Sequence, residues 1–303
     1  MTHPAPPVLV LAFNRPTITA RVLEAVRAAR PARLYFAVDG PRETHAGDAE
    51  LCRQTRALVD DADWPCPVHR LERERNVGLQ RAVVGALDWF FDEVEHGIVF
   101  EDDCLPAPEL FPFAGELLER FAESSQVMHV SGLNMRPAER FGPYSYFFAG
   151  VGHIWGWATW RRAWRLFDRD LGDWPAIRHE FARPAPRLRR MLGRKFAAAH
   201  AGRKSTWARH WYATTVRHGG LAVIPSVNLV RNVGFGADAT HTRGGRHALR
   251  IESWGRLELP LSHPPYLIAN ARYERHLARY HQRSYRKRAL EAGRRVLDLL
   301  RRR

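Results

Sequence analysis

The first hundred residues alternate short apolar runs with longer amphipathic segments. Short apolar runs that end at proline, glycine or acidic residues are typical of buried strands, whereas apolar positions that recur every three or four residues are typical of helices. These patterns predict strands within 8–13, 33–39, 68–72 and 97–102, separated by helices within 17–31, 49–62 and 76–94. The order β-α-β-α-β-α-β predicts an α/β fold, with a mainly parallel sheet covered by helices on both faces.

The pattern is looser in the rest of the chain. It predicts a helix over 110–121, a strand over 127–134, helical patches between 178 and 204, and a strand with a glycine-rich loop over 219–236. From Tyr266 onward, twelve Arg or Lys residues face three acidic ones, and Leu290, Leu297 and Leu300 are spaced for one face of a helix. We therefore predict a domain over 1–260 and a basic helical extension over 261–303.

Polar residues stand where three of the predicted strands end. Arg15 follows the first strand, Asp39 ends the second, and Glu101, Asp102 and Asp103 end the fourth in the stretch GIVFEDDCLP. Because ligands of such sheets collect beyond the carboxyl ends of the strands, we expect these side chains to converge. Three adjacent carboxylates repel one another unless a cation or a donor stands beside them, and hard divalent cations such as Mn²⁺ or Mg²⁺ prefer oxygen ligands. The alternative is a solvated acidic turn ahead of the next helix.

Composition narrows the possible partners. A formal net charge of +15 and a pI near 10.7 favour partners that carry phosphate or acidic lipid. No apolar segment approaches the roughly 20 residues that cross a bilayer, and the first apolar run is too short for a signal peptide, which predicts a cytoplasmic protein. The three cysteines lack CxxC spacing and are interpreted as reduced thiols.

Four segments together carry a resemblance to a known family. The segments PVLVLAFNRPTITARVLEAV, YFAVDGPR, IVFEDDCLPAPELFPF and GHIWGWATWRRAW resemble, in this order and over roughly residues 7 to 245, the GT-A glycosyltransferases. Within that group they resemble the bacterial proteins that are similar to the Golgi N-acetylglucosaminyltransferase I family. The resemblance implies a GT-A, Rossmann-like fold and a metal-dependent, inverting transfer of sugar from a nucleotide-sugar donor, a UDP-sugar, to a glycan or glycolipid acceptor.

The resemblance implies roles for the acidic triplet. In that family the last carboxylate of the triplet, the DXD-type motif, ligates Mn²⁺. The middle carboxylate contacts the ribose, and the first touches the donor sugar. These roles fall on Asp103, Asp102 and Glu101.

Other roles follow from the same resemblance. Arg15 matches an arginine beside the nucleotide, and Asp39 matches the acid that reads the uracil edge. Arg75 and Asn76 occupy a segment that lies against the nucleotide in similar enzymes. The alternatives are a solvated loop arginine at Arg15 and a turn aspartate at Asp39.

The sequence departs from the family at the general base, where an aspartate precedes a tryptophan. Here His210 stands before the matching tryptophan, and histidine is the side chain that commonly serves as a base near neutrality. A buried or surface histidine is the alternative, and Asp170 or Asp173 becomes the base if the match shifts along the chain. His241 is expected as a second metal ligand. A stacking floor for a sugar could be formed by Trp155, Trp157, Trp160 and Trp164, and Trp157 is the one expected there, although core packing is the commoner use of such tryptophans.

The sequence leaves alternatives for the basic extension, for the partner and for the reaction. The basic extension can contact an anionic membrane surface, or it can be a solvated basic face. Nucleic-acid binding suits the net charge, but the sequence contains no recognised nucleic-acid motif, so we predict no nucleic-acid partner. A metal-dependent nucleotidyltransferase or phosphohydrolase would use the same carboxylates without sugar transfer.

Overall fold

The computed structural model describes residues 5–60, 64–177, 184–202, 206–234 and 254–280. The strands of these ranges are β1 (Val8–Ala12), β2 (Leu34–Val38), β3 (Val68–Glu72), β4 (His96–Glu101), β5 (Cys104–Pro106), β6 (Val127–Ser131), β7 (Tyr146–Ala149), β8 (Trp157–Trp160), β9 (Leu221–Pro225) and β10 (Val230–Asn232). The helices are α1 (Pro16–Ala29), α2 (Asp48–Ala57), α3 (Leu79–Glu93), α4 (Leu110–Arg120), α5 (Arg161–Trp164), α6 (Trp174–Ile177), α7 (Pro186–His200) and α8 (Trp207–Arg217).

Eight strands form one sheet in the order β3-β2-β1-β4-β8-β6-β9-β7. The first four strands are parallel to one another, and β8 runs antiparallel to both of its neighbours. β9 is parallel to β6, and β7 is antiparallel to β9. The predicted α/β fold with a mainly parallel sheet is confirmed, as are the four strands and three helices predicted in the first hundred residues.

Both faces of the sheet are covered, as the sequence predicts. Alternate residues of β1 point to opposite faces, so Val8 and Val10 join one apolar cluster while Leu9 and Leu11 join the other. Helices α1 and α4 contribute to the first cluster, and α3, α5 and α8 contribute to the second. Because both faces are buried, the sheet can present polar groups to a ligand at the ends of its strands.

The second half of the domain differs from the sequence pattern in detail. The predicted glycine-rich loop after β9 contains a short strand, β10, which pairs antiparallel with β5. Residues 261–280, predicted within the extension, join the main core: Tyr273 is fully buried, and Leu277 is 2% exposed. The basic segment 281–303 lies outside the described residues. In the described part of the chain, no helix is long and apolar enough to span a membrane.

Candidate active site

The strand register brings the predicted polar residues to one edge of the sheet. Leu11 of β1 pairs with Glu101 of β4, and Ala12 pairs with Val38 of β2, so the residues after these positions leave the sheet together. They border a cleft of about 360 Å³. Six of the predicted site residues line it: Arg15, Asp39, Asn76, Glu101, Asp102 and Asp103.

One end of the cleft is built on the pairing of Arg15 with the acidic triplet. Pro16 begins α1, which leaves Arg15 at the turn between β1 and the helix. The Arg15 guanidinium makes a bidentate contact with Asp102, with Nε donating to Oδ2 at 3.0 Å, and its Nη2 donates to Asp103 Oδ2 at 3.2 Å. Asp102 is 4% exposed, so the bidentate ion pair is well shielded from water.

The carboxylates of this end outnumber the positive charge. Burial raises the pKa of Glu101 to about 8, and the charges of Asp103 and Asp102 add to the effect while Arg15 opposes it. Burial likewise raises the pKa of Asp102 to about 6, against the lowering effect of Arg15. One guanidinium therefore does not balance three carboxyl groups, and a further cation would favour their ionised forms.

The groups at this end suit a divalent cation that shares its ligands with a substrate. Among the described residues, no cluster of three or more His, Cys, Asp or Glu side chains is arranged to hold a metal. Mg²⁺ and Mn²⁺, however, commonly bind through one or two carboxylates plus substrate phosphates. The Asp103 side chain is 15% exposed and lines the cleft, so it is the member of the triplet best placed for this use.

The segment that follows β10 packs closely against Asp103. Val233 N–H donates to the Asp103 carbonyl oxygen at 2.8 Å, just after β10. A Cβ atom at Gly234 would stand 2.5 Å from Asp103 Oδ2, so a larger residue would displace the carboxylate. Because His241 lies outside the described residues, its predicted role as a second metal ligand stays a prediction.

The other end of the cleft is built around Asp39, which is 6% exposed. Its Oδ1 accepts from the backbone N–H groups of Gly40, at 2.9 Å, and Val77, at 3.2 Å, while its Oδ2 accepts from Asn76 Nδ2 at 3.0 Å. The Asn76 amide also donates to the Gly40 carbonyl and accepts from Gly78 N–H. Asn76 therefore holds Asp39 in place, and its own hydrogen-bonding groups are already engaged.

Several cleft residues were missed by the sequence reasoning. Arg42, Arg73 and Trp155 line the cleft, as do apolar residues of β1 and α3 such as Leu11 and Leu79. Arg42 is the last residue of the segment YFAVDGPR. Its position directly after the turn that ends β2 could have identified it as a cleft residue from the sequence. The sequence offered no comparable signal for Arg73, whereas Trp155 is one of the four clustered tryptophans, of which Trp157 was the one favoured.

Three predicted residues are not among those that line the cleft. Arg75 is exposed on the segment after β3. Trp157 is 1% exposed and stacks on His129 with ring centroids 5.1 Å apart, which places it in the core. His210 is 4% exposed on α8, with its Nδ1 3.2 Å from the Thr206 carbonyl oxygen.

The alternative bases are not brought to the cleft either. Asp170 is exposed on the segment after α5, and Asp173 forms an ion pair with Arg217. Neither residue lines the cleft. The identity of the general base therefore stays a prediction that the cleft geometry does not support.

Comparison with known proteins gives structural similarity only. No protein-family model matches the sequence, and neither does any curated protein. Among solved structures, the chain is similar to the mannosyltransferase PcManGT from Pyrobaculum calidifontis in complex with GDP-Man and Mn²⁺, at 16% identity over 72% of this chain and 70% of that chain, with a TM-score of 0.40.

Two nucleotidyltransferase structures are also similar. The inositol-1-phosphate CTP transferase from T. maritima is 11% identical over 55% of this chain and 75% of that chain, with a TM-score of 0.34. A UDP-glucose pyrophosphorylase complexed with UDP-glucose is 9% identical over 54% and 78% of the respective chains, with a TM-score of 0.31. Because these TM-scores lie below 0.5, the function is inferred from the cleft.

Proposed function

We propose that this protein is a metal-dependent glycosyltransferase that moves a sugar from a nucleoside-diphosphate sugar, with UDP as the expected nucleotide, to a glycan or glycolipid acceptor with inversion. The observation that carries the proposal is a single cleft with two unlike ends. At one end a carboxylate cluster of three groups stands beside a single guanidinium, and at the other a buried carboxylate stands beside apolar walls. A metal-bound diphosphate suits the first end, and a nucleobase suits the second.

The residues of the carboxylate end would hold the diphosphate and its metal. Asp103 is the proposed ligand of Mn²⁺ or Mg²⁺, with donor phosphate oxygens completing the coordination. A bound divalent cation supplies positive charge that stabilises the diphosphate as it leaves the sugar. Asp102 orients the Arg15 guanidinium beside this position, and Glu101 is the proposed contact for the donor sugar.

The residues of the Asp39 end would hold the nucleoside. Asp39 Oδ2 receives one hydrogen bond from Asn76, so it can accept a second from an N–H group of the base. The apolar side chains of Leu11, Leu79 and Val83 would pack against the faces of the ring. The proposed nucleoside position therefore combines one charged acceptor with apolar walls.

The proposal extends to the acceptor side and the basic tail. A glycolipid acceptor would bring the protein to a membrane surface, and we propose that the arginine-rich segment 281–303 contacts anionic lipid there. Selective loss of binding to anionic vesicles, on removal of 281–303, would support this contact. Unchanged vesicle binding would contradict it.

Calorimetric titration with UDP, GDP and CDP, first with Mn²⁺ and then with the metal chelated, tests the donor site. Metal-dependent binding of a nucleoside diphosphate supports the proposal, and the matching nucleotide sugars are then incubated with glycan and glycolipid acceptors. Formation of a glycosylated product supports transfer. Free sugar or sugar phosphate as the sole product would instead assign a hydrolase, and absence of nucleotide binding would contradict the donor site.

A further inference from the structure

Three arginines line the cleft, and two of them are already in ion pairs. Arg15 is paired with the acidic triplet, and Arg42 Nε donates to Asp48 Oδ2 at 2.6 Å. For Arg73, by contrast, the described residues provide no hydrogen-bond or ion-pair partner to the guanidinium. An uncommitted, partly buried guanidinium is well suited to donate to oxygen atoms of a ligand.

The strand order places Arg73 at the Asp39 end of the cleft. Arg73 directly follows β3, which neighbours β2 and therefore Asp39, whereas β4 with the acidic triplet stands three strand positions away. At about 4.8 Å per strand, this separation is about 14 Å. The backbone of Arg73 is thus next to the proposed nucleoside position and remote from the proposed diphosphate position.

The Arg73 side chain lies against α3. A Cβ atom added at Gly85 would stand 2.9 Å from Arg73 Nη2. Among the described residues, and apart from the nearby backbone of α3, this is the one atom that the Cβ would meet within 4 Å. The preceding turns of the same helix supply Leu79, Ala82 and Val83 to the cleft wall. The guanidinium therefore shares the α3 side of the cleft with the apolar wall.

We propose that Arg73 binds the nucleobase of the donor, with its guanidinium donating to a carbonyl oxygen of the base next to the N–H group that Asp39 accepts. This inference rests on the proposed function and adds the residue that, with Asp39, recognises the base. A donor beside an acceptor matches the adjacent C=O and N–H groups of a uracil or guanine ring. Arg81, which is exposed on α3 and does not line the cleft, is then the matched control.

The first test compares Arg73→Ala with Arg81→Ala by calorimetry in the presence of Mn²⁺. The ligands are the nucleoside diphosphate that the unmodified protein binds best and ribose 5-diphosphate, which has the diphosphate but no base. We expect Arg73→Ala to weaken nucleotide binding about tenfold or more, as for the loss of a charged hydrogen bond, and to change ribose 5-diphosphate binding less than twofold. Arg81→Ala should change both less than twofold.

The outcomes separate this inference from the proposed function. Equal losses for both ligands would show that Arg73 contacts the diphosphate, and unchanged nucleotide binding would show that it contacts neither group. Either result would overturn the inference while leaving the donor site in place. Failure of the unmodified protein to bind any nucleoside diphosphate would overturn the proposed function, and the inference with it.

Gly85→Ala gives a second test that keeps the guanidinium but displaces it. The added methyl group would meet Arg73 Nη2, and alanine is otherwise favoured over glycine inside a helix. We expect the melting temperature to be unchanged or higher while nucleotide affinity falls severalfold, a combination that a purely structural role would not produce. Unchanged affinity in a folded Gly85→Ala protein would contradict the assignment.

Discussion

The two ends of the cleft differ in how their buried carboxyl groups are stabilised. At the Asp39 end, two backbone N–H groups and one amide donate to a single carboxylate. At the carboxylate end, three carboxyl groups share one guanidinium, and burial raises the pKa of two of them. The first end is organised by the protein itself, whereas the second is the end at which we propose that a cation binds. We therefore expect metal and pH to affect the carboxylate end more than the Asp39 end.

The largest effect is expected from Asp103→Ala. Substitutions in the outer shell of metal sites typically cost 10- to 100-fold, so loss of a direct ligand should weaken Mn²⁺-dependent nucleotide binding at least about 100-fold. The fold should persist, because the change removes one member of a mutually repelling cluster. Calorimetry in Mn²⁺ measures the affinity, and circular dichroism checks the fold. The matched control is Asp170→Asn, at an exposed carboxylate away from the cleft, and equal binding by both variants would remove Asp103 from the metal site.

A smaller effect is expected from Asp39→Asn at the opposite end. Loss of the charged acceptor should weaken nucleotide binding by about 10- to 100-fold and cost about 1–3 kcal/mol of unfolding free energy, because one acceptor oxygen is replaced by an NH2 donor that cannot accept from the Asn76 amide. The ratio of affinities with and without Mn²⁺ should stay as in the unmodified protein. The control is Asp60→Asn, at an exposed carboxylate with a side chain that is 54% accessible. A changed metal ratio would show that the two ends are not independent.

The pH dependence of stability without metal separates the two ends by a different readout. The pKa of Glu101 rises from its ordinary 4.5 to about 8, and that of Asp102 rises from 3.8 to about 6. Between these values the folded protein retains protons that the unfolded chain has lost, so the free energy of unfolding should fall as pH rises from about 4 to 8. Urea denaturation at several pH values measures this slope.

Two changes should flatten that slope. Glu101→Gln removes the group with the larger shift, and saturating Mn²⁺ favours the ionised carboxylates and so adds most stability near pH 8. Glu109→Gln serves as the control, since it changes a nearby glutamate that does not line the cleft. An equal slope in Glu101→Gln and the unmodified protein would show that Glu101 is not held in its protonated form.

The parallel part of the sheet could be predicted from sequence because each of its elements has a local cause. The apolar runs of β1, β2 and β4 are visible in consecutive residues of the sequence. Parallel pairing of these strands then places Arg15, Asp39 and Glu101 at one edge of the sheet. The position of β8 is different. This four-residue strand inserts between β4 and β6 through antiparallel pairs with partners far along the chain, which no local pattern encodes.

The same limit explains which site residues could be predicted. The acidic triplet and Asp39 directly end strongly apolar strands, so their placement follows from the strands. Arg73 and Arg75 both belong to an irregular segment after β3, and local spacing does not decide which of them turns toward the cleft. Trp155 and Trp157 pose the same problem, because only the tertiary structure shows that β8 begins at Trp157 and leaves Trp155 in the cleft wall.

The contacts of Glu274 bear on the order in which the domain is completed during synthesis. Glu274 is 2% exposed and accepts hydrogen bonds from the backbone N–H groups of Gly150, at 2.8 Å, and Ala185, at 2.6 Å. A nascent chain that ends before this glutamate leaves both amides without their partner. The four parallel strands, whose mutual pairing needs nothing beyond residue 101, can associate on the ribosome while the later half waits for residues 270–280 to emerge.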